Sequence, residues 1–530
     1  MAGEKEEKKK PGLVKRIFKW IGLVVISILL IGAIVFQAPW KVTTLLVIIL
    51  AACTILPKPY RKWFWLSAAG VVIALIIWVF LPDDIKGWRP YTFDKELAAL
   101  EAKYAVADEE NAAKIYERLL ASYDENDFEP NFVEVDFWEL ARSGPWRSED
   151  YPEVAEWLES HQSTIDTLTE AAKKEKCHFP IQADLVGVGY TMDRLAPMRR
   201  WAYLLIRAGN NDLGEDRVNA AIEKYVSTLQ MGKHIRQQPA LIEMMVGIAV
   251  ETLAIRQFDK FVITGDITEE HLSIIEKALT EIKQDWSSDL PKFTECEKLL
   301  AKNLWGMFYS INPKGEIRLN HNISNAVMSQ LPEDMRDEIK LTHWHRKLAK
   351  AATILFWLYM PSTPQKVGEV IDKCYERYYA MAEPDFDWQK EPEKPSSIVR
   401  LNYRYLVEFT TSILEPAYYR IHYIYLGTIA EQKGSQIIVG LRRYKNKNGR
   451  WPGSLEEVKS FAPSETFVDP INNSSFVYKL TEKDFTLYSK GKNNIDDGGE
   501  HNDEAGTDDW LIWPERSCKD KEEKEDEEQQ

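Results

Sequence analysis

The sequence predicts a mainly α protein: N-terminal transmembrane helices, an irregular, repeat-like helical domain, and a small α+β domain at the C-terminus. Three observations predict it. The chain opens on long apolar runs. From about residue 88 to residue 382 its apolar positions recur with the helical period of 3.6 rather than the strand period of 2. Beyond residue 448 the pattern changes to short alternating runs separated by turn residues. At 530 residues the chain is too long for one core. The expected units are a membrane segment (1–85), a helical domain (86–382), a linker (383–397), an α+β module (398–516) and a disordered acidic tail (517–530).

The membrane segment rests on residues 17–36, 38–56 and 63–81. A hydrocarbon core of about 30 Å needs about 20 helical residues, because backbone polar groups in lipid must be satisfied within the segment. The first and third runs qualify outright, and the second does so by starting at 38 and letting Lys41 snorkel. The run after Lys19 is too long for a secretory signal and is followed by further apolar runs, so it is expected to be retained. Lys8, Lys9, Lys10, Lys15, Arg16 and Lys19 precede the first run, and Lys58, Arg61 and Lys62 separate the second from the third. Both groups belong in the cytoplasm by the positive-inside rule. The expectation is a multi-pass protein of a bacterial inner membrane, in contact with the lipid bilayer, with its large remainder extracytoplasmic.

That remainder is acidic. Up to Lys62 there are eleven Lys and Arg against three Glu, a balance of +8, so the rest carries −23 to reach the net −15. Without a basic stripe, nucleic-acid binding is not expected. The five cysteines lie far apart with no CxxC pair, which fits neither a disulfide framework nor a zinc site.

In the helical region Ala112, Ile115, Tyr116, Leu119, Leu120 and Tyr123 form one apolar stripe, and Ala220, Ile222, Tyr225, Val226 and Leu229 form another. Further helices are predicted over 239–262 and 269–284, the latter opened by a capping box of Asp266 and Glu269, with a turn at 209–214. The chemistry is quiet: no phosphate loop, no GxSxG, no HExxH and no dinucleotide fingerprint. His343 and His345 form an HxH pair with no third ligand in sight. Glu243 and Glu251, eight residues apart, share a helix face, so they read either as paired catalytic carboxylates or as salt-bridge partners of residues such as Arg236 or Arg256. The apolar run 348–360 is too short to span a bilayer.

Past the Pro- and charge-rich linker, a helix is predicted over 412–445, a turn at Asn448 and Gly449, a short helix after Ser454, strands over 475–480 and 485–489, and an acidic loop, "KGKNNIDDGGEHNDEAGTDDW". From 440 to 514 this module resembles the C-terminal domain of type II secretion major pseudopilins. The helix exit "LRRYKNKNGRWP", the "VDP" at 468–470, a strand ending "YKL", the strand "FTLYSKG" and the closing loop with "DDGG" and "DDW" keep order and spacing. More loosely, 195–262 followed by this module is similar to large membrane proteins of planctomycete-type bacteria. The resemblance implies a Ca²⁺ site in the closing loop. Its ligands would be Asn493, Asp496, Asp497, Asp508 and Asp509, with carbonyls from Leu487 and Ser489, an oxygen set that suits a hard cation. Asn493 stands where the family pattern favours Asp. Three apolar runs in place of a pseudopilin's single helix mean that the module is not expected to pack into a pilus filament.

The functional expectation is a membrane-anchored, non-enzymatic protein that presents its helical domain and pseudopilin-like module to a protein partner in the cell envelope, for binding or for envelope or secretion assembly. The alternative is an extracytoplasmic hydrolase with a carboxylate site at Glu243 and Glu251.

Overall fold

The computed structural model describes residues 25–31, 40–80, 87–128, 130, 140, 144–181, 192–320, 360–361, 363–383, 386, 388, 403–412, 415–502 and 507–514. These residues are mainly helical. A hairpin of α1 (Trp40–Thr54) and α2 (Lys58–Phe80) comes first. Short helices follow: α3 (Asp94–Tyr104), α4 (Ala113–Leu120), α5 (Glu125–Phe128), α6 (Pro152–Ser160) and α7 (Gln162–Ala172). The body is built from α8 (Met192–Gly214), α9 (Val218–Arg236), α10 (Leu241–Thr264), α11 (Glu269–Thr280) and α12 (Trp286–Gly306). Then come α13 (Pro364–Ala380), α14 (Tyr403–Ser412) and α15 (Glu415–Asn448).

The hairpin corrects the membrane reading. At 1.5 Å per residue, the 15 residues of α1 extend about 22 Å, short of the roughly 30 Å hydrocarbon core. The 23 residues of α2 include Lys58, Arg61 and Lys62 at its start, which leaves an uncharged length of about 27 Å. Among the described residues no helix is long and apolar enough to cross a membrane. The three spans, the multi-pass inner-membrane location and the orientation built on them therefore fall. Of the first run, only residues 25–31, which are helical, are described.

The centre of the molecule is the antiparallel pair α9 and α10. Their backbones meet at two glycines: a Cβ on Gly247 would lie 2.5 Å from the Arg236 nitrogen, and one on Gly232 would lie 2.7 Å from the Glu251 nitrogen. Apolar residues surround α10, so it serves three cores at once. Ile255, Phe258 and Val262 enter one cluster, Val250 a second, and Met244 and Ile248 a third. The predicted stripe on α4 buries Ile115 and Tyr116 in the second of these, against Trp201 and Leu205 of α8. The turn expected at 209–214 belongs to α8. The chain reverses after it, at Asp216, which adopts the left-handed conformation (φ 60°). The capping box of α11 is formed by Thr268 and His271, two residues later than expected, because the helix begins at Glu269 and the side chain one position earlier is the one in reach of its free N–H groups.

Two small three-stranded antiparallel sheets and a two-stranded ladder complete the described fold. One joins β1 (Arg89–Pro90), β2 (Tyr309–Ile311) and β3 (Ile317–Leu319) in that order. In the C-terminal module β4 (Val477–Leu480), β5 (Phe485–Ser489) and β8 (Trp510–Trp513) pair in the order β4-β5-β8, with β6 (His501–Asn502) and β7 (Thr507–Asp508) as a separate ladder. This sheet lies on α15 at close range. A Cβ on Gly427 would meet Trp510 at 2.5 Å, and one on Gly434 would meet Ile512 at 2.6 Å.

The other side of α15 packs on the helical body. Ile437, Ile438 and Leu441 share one cluster with Ile255, Phe258 and Val262 of α10 and Leu279 of α11, and Phe485, Leu487 and Ile512 of the sheet belong to the same cluster. The helical region and the module thus share one core. Most of the linker lies outside the described residues, but Trp388 stacks on His422 of α15 with ring centroids 3.6 Å apart and meets Trp286 edge-on at 5.7 Å.

Candidate functional site

Two places carry candidate chemistry, the carboxylates of α10 and the closing loop of the module. Glu243 and Glu251 both have fully buried side chains, on the faces of α10 that pack into the cores. Glu251 Oε1 accepts from Arg236 Nε at 2.9 Å, and its Oε2 accepts from Gln284 Nε2 at 3.2 Å. The same guanidinium donates through Nη1 to Asp289 Oδ2 at 3.2 Å and through Nη2 to the Lys283 carbonyl at 3.0 Å. Tyr425 of α15 donates to Asp289 Oδ2 at 2.7 Å. Glu243 Oε1 accepts from Arg194 Nε at 2.9 Å. Burial raises the pKa of both glutamates, and the facing arginines offset it in part. Arg256, the other partner considered, pairs instead with Glu431 at 3.2 Å.

The neighbouring groups are buried or partly buried. Burial pushes the Lys292 ammonium down to about 8 and raises the thiols of Cys177 and Cys296, the opposite of what an activated nucleophile needs. His234, also buried, sits between Tyr116 OH on Nδ1 (3.0 Å) and the Lys174 carbonyl on Nε2 (2.8 Å). That arrangement holds a neutral imidazole with its proton on Nε2. His343 and His345 lie outside the described residues.

The closing loop is held by its own carboxylates. Asp508 Oδ2 accepts from the backbone nitrogens of Lys492 and Asn493 at 2.7 and 3.1 Å. Asp509, buried, accepts through Oδ2 from those of Asp497 and Gly499 at 3.0 and 2.8 Å. Asn493 Nδ2 donates to Asp497 Oδ2 at 3.3 Å, and Asn493 Oδ1 accepts from the Ile495 nitrogen at 2.6 Å. Of the seven predicted ligands, Asn493, Asp497, Asp508 and Asp509 are thus joined in one network. Asp496 turns away, accepting from Tyr488 OH at 2.5 Å and Lys479 Nζ at 3.2 Å; the phenol, more than any other neighbour, holds its carboxyl below the usual carboxylate range. Leu487 and Ser489 are buried on β5, which breaks register against β8 between Leu487 and Tyr488.

Two features of Asp508 and Asp509 bear on whether the loop could hold a cation. Asp508 Oδ1 is buried and accepts no hydrogen bond, a costly state for a carboxylate oxygen. Burial, with the charges of Asp497 and Asp496, pushes the Asp509 carboxyl up. Both conditions are ones that a divalent ion relieves. The remaining predicted ligands do not converge with these two into a shell, and among the described residues no group of three or more His, Cys, Asp and Glu is placed to hold a metal ion.

Sequence reasoning missed several residues of this site. Asp469 is buried, accepts from the Ile471 nitrogen at 2.9 Å, and shapes a turn from which Asn472 Nδ2 reaches the Gly491 carbonyl at 2.8 Å. The signal available for it was the Asp-Pro of "VDP" followed by the turn-forming residues 472–475. Tyr423 OH donates to the Asp508 carbonyl at 3.0 Å and Lys492 Nζ to that of Trp388 at 3.3 Å, tying the loop to α15 and to the linker. No local pattern announces these two. No protein family, no curated protein and no solved structure matches the chain.

Proposed function

We propose that the chain is a non-enzymatic partner-binding protein, a helical body that presents a pseudopilin-like α+β module to another protein. One observation supports this reading above the others. Glu243 and Glu251, the pair on which a hydrolase would turn, have fully buried side chains ion-paired with Arg194 and Arg236, so neither is open to a substrate and its water. The pseudopilin-like reading draws support from one long helix laid on a three-stranded antiparallel sheet and followed by an acidic loop. The acidic balance of the chain beyond Lys62 favours a partner with a basic docking face. As part of the same proposal, the loop takes Ca²⁺. Asp508 and Asp509 would supply the carboxylates, and the ion would neutralise a crowded group of acids and hold the presented surface in one shape.

The test has two arms. Photo-crosslinkers placed in cells at the exposed Lys459 and Lys483 should capture one protein, and turnover of ester, peptide or glycoside by the purified chain that disappears in Glu251→Gln would overturn the non-enzymatic reading. For the ion, the full chain should melt higher in millimolar Ca²⁺ than in chelator. The gain is about 2.7 kcal/mol when the ion is at a hundredfold its dissociation constant; it should vanish in Asp508→Asn and persist in Glu500→Gln. Equal melting in Ca²⁺ and chelator discards the metal.

A further inference from the structure

Ten large apolar side chains between Leu45 and Ile73, in the hairpin of α1 and α2, are 47–79% exposed. Together they leave roughly 700 Å² of apolar surface uncovered. That exceeds the roughly 300–600 Å² of the largest patch on an ordinary monomer, and it is close to the about 800 Å² that each partner buries in a stable interface. A helix apolar on all sides has to be covered by something, and among the described residues no helix is long and apolar enough for a bilayer to cover it as a span.

The middle of α2 indicates what covers it. Trp63, Leu66, Gly70 and Ile73 recur at spacings of three, four and three, so they lie along one face, and all four are exposed. Gly70 stands one residue from the midpoint of Lys58–Phe80. Glycine inside an exposed helix is weaker than alanine, and a Cβ on Gly70 would meet no atom within 4 Å, so among the described residues of a single chain nothing accounts for it. Two antiparallel copies of one helix cross at their midpoint, and glycine there lets the backbones approach closely. Leu66 and Ile73 of one copy then pack beside Ile73 and Leu66 of the other, an isologous contact that closes at two chains.

Charge selects the same orientation. Lys58, Arg61 and Lys62 open α2, and a parallel pair would gather both sets at one end. An antiparallel pair crossing at Gly70 holds the two sets about 24 Å or more apart, beyond the roughly 8–10 Å over which exposed charges act. The central glycine and the separated cations both follow from a second copy of the same helix and from no particular property of another partner.

We propose that the hairpin is where two copies of this chain associate. Their α2 helices pair antiparallel across a two-fold axis at Gly70, and the two hairpins close a four-helix bundle. The proposal stands independently of the partner-binding reading and of the Ca²⁺ loop.

Sedimentation of the full chain at micromolar concentration, without detergent or lipid, should give a particle of two chains. Ile73→Glu alters a side chain exposed in the single chain and should give one chain per particle with its melting transition retained. Ile274→Glu, an exposed change on α11, should leave two. Under mild oxidation Gly70→Cys should form a disulfide-linked dimer above the level of the unaltered chain, because the axis brings residue 70 of both copies together. Ile55→Cys should not, because its two copies lie at opposite ends of the bundle. A particle of any other size, two chains that persist in Ile73→Glu, or absence of the residue-70 crosslink would each overturn the proposal. A chain that stays single and floats with phospholipid vesicles would overturn it too, and would give the face to lipid.

Discussion

Arg236, itself buried, carries three acceptors at once, the fully buried Glu251, Asp289 and the Lys283 carbonyl. Removing it leaves the buried Glu251 carboxylate uncompensated. Arg236→Met is therefore expected to destabilise by about 3–5 kcal/mol, read as a fall in the urea midpoint, and a second change, Glu251→Leu, should restore part of the loss by removing the stranded charge. His234 sets a pH dependence. Burial depresses its imidazole from 6.5 to about 4, and that of His422 from 6.5 to about 4. Between those values the unfolded chain binds protons that the folded chain does not, so stability falls as pH drops from about 6.5 to about 4, by up to about 1.4 kcal/mol per unit for each histidine. His234→Gln should flatten that slope between pH 6.5 and 5 in urea titrations, and an unchanged slope would remove His234 as its source. At this scale the sequence was legible where partners are close along the chain. Glu251 and Arg236 are 15 positions apart and were readable as a pair, whereas Glu243 and Arg194, 49 apart, are brought together only by the packing of α8 on α10.

The crossing of α9 and α10 is set by Gly232 and Gly247, where backbone takes the place that side chains hold elsewhere. Gly247→Ala puts a methyl group 2.5 Å from the Arg236 nitrogen, which forces the helices apart. The expected cost is about 1–3 kcal/mol, despite the better helix propensity of alanine, and a neutral outcome in thermal melts would show that the helices can slide. Arg442 performs a related task between elements. From α15 it donates to the carbonyls of Val262, Ile263 and Gly265 at 2.9, 3.1 and 2.9 Å, groups that the end of α10 leaves without intrahelical partners. Long periodic helices and strands were the readable elements: β5 spans the predicted 485–489, α10 begins two residues after the predicted start, and α15 three. The N-terminal runs misled because apolar length in a sequence is not helix length. The chain turns between Thr54 and Lys58, and α2 spends its first residues on three basic side chains.

Across the whole molecule, α15 lies beyond the Pro- and charge-rich linker and contributes to the same core as α10 and α11. A change in composition reports on a loop and is silent about what the segments on either side bury together. Cutting the chain after residue 397 should therefore expose the α10 and α11 face. The fragment is expected to lose its sharp thermal transition and to bind a hydrophobic dye, whereas a fragment that melts as cooperatively as the full chain would mean that this face is dispensable. The shared core also has a consequence for synthesis. About 160 residues separate Ile282 from Leu441, so at about 5–20 residues per second the ribosome leaves the surface of α10 and α11 uncovered for roughly 10 to 30 seconds before α15 emerges to close it. The growing chain is therefore expected to need a chaperone through that interval, and nascent chains stalled before residue 415 should be held by one, while those released after residue 514 should not.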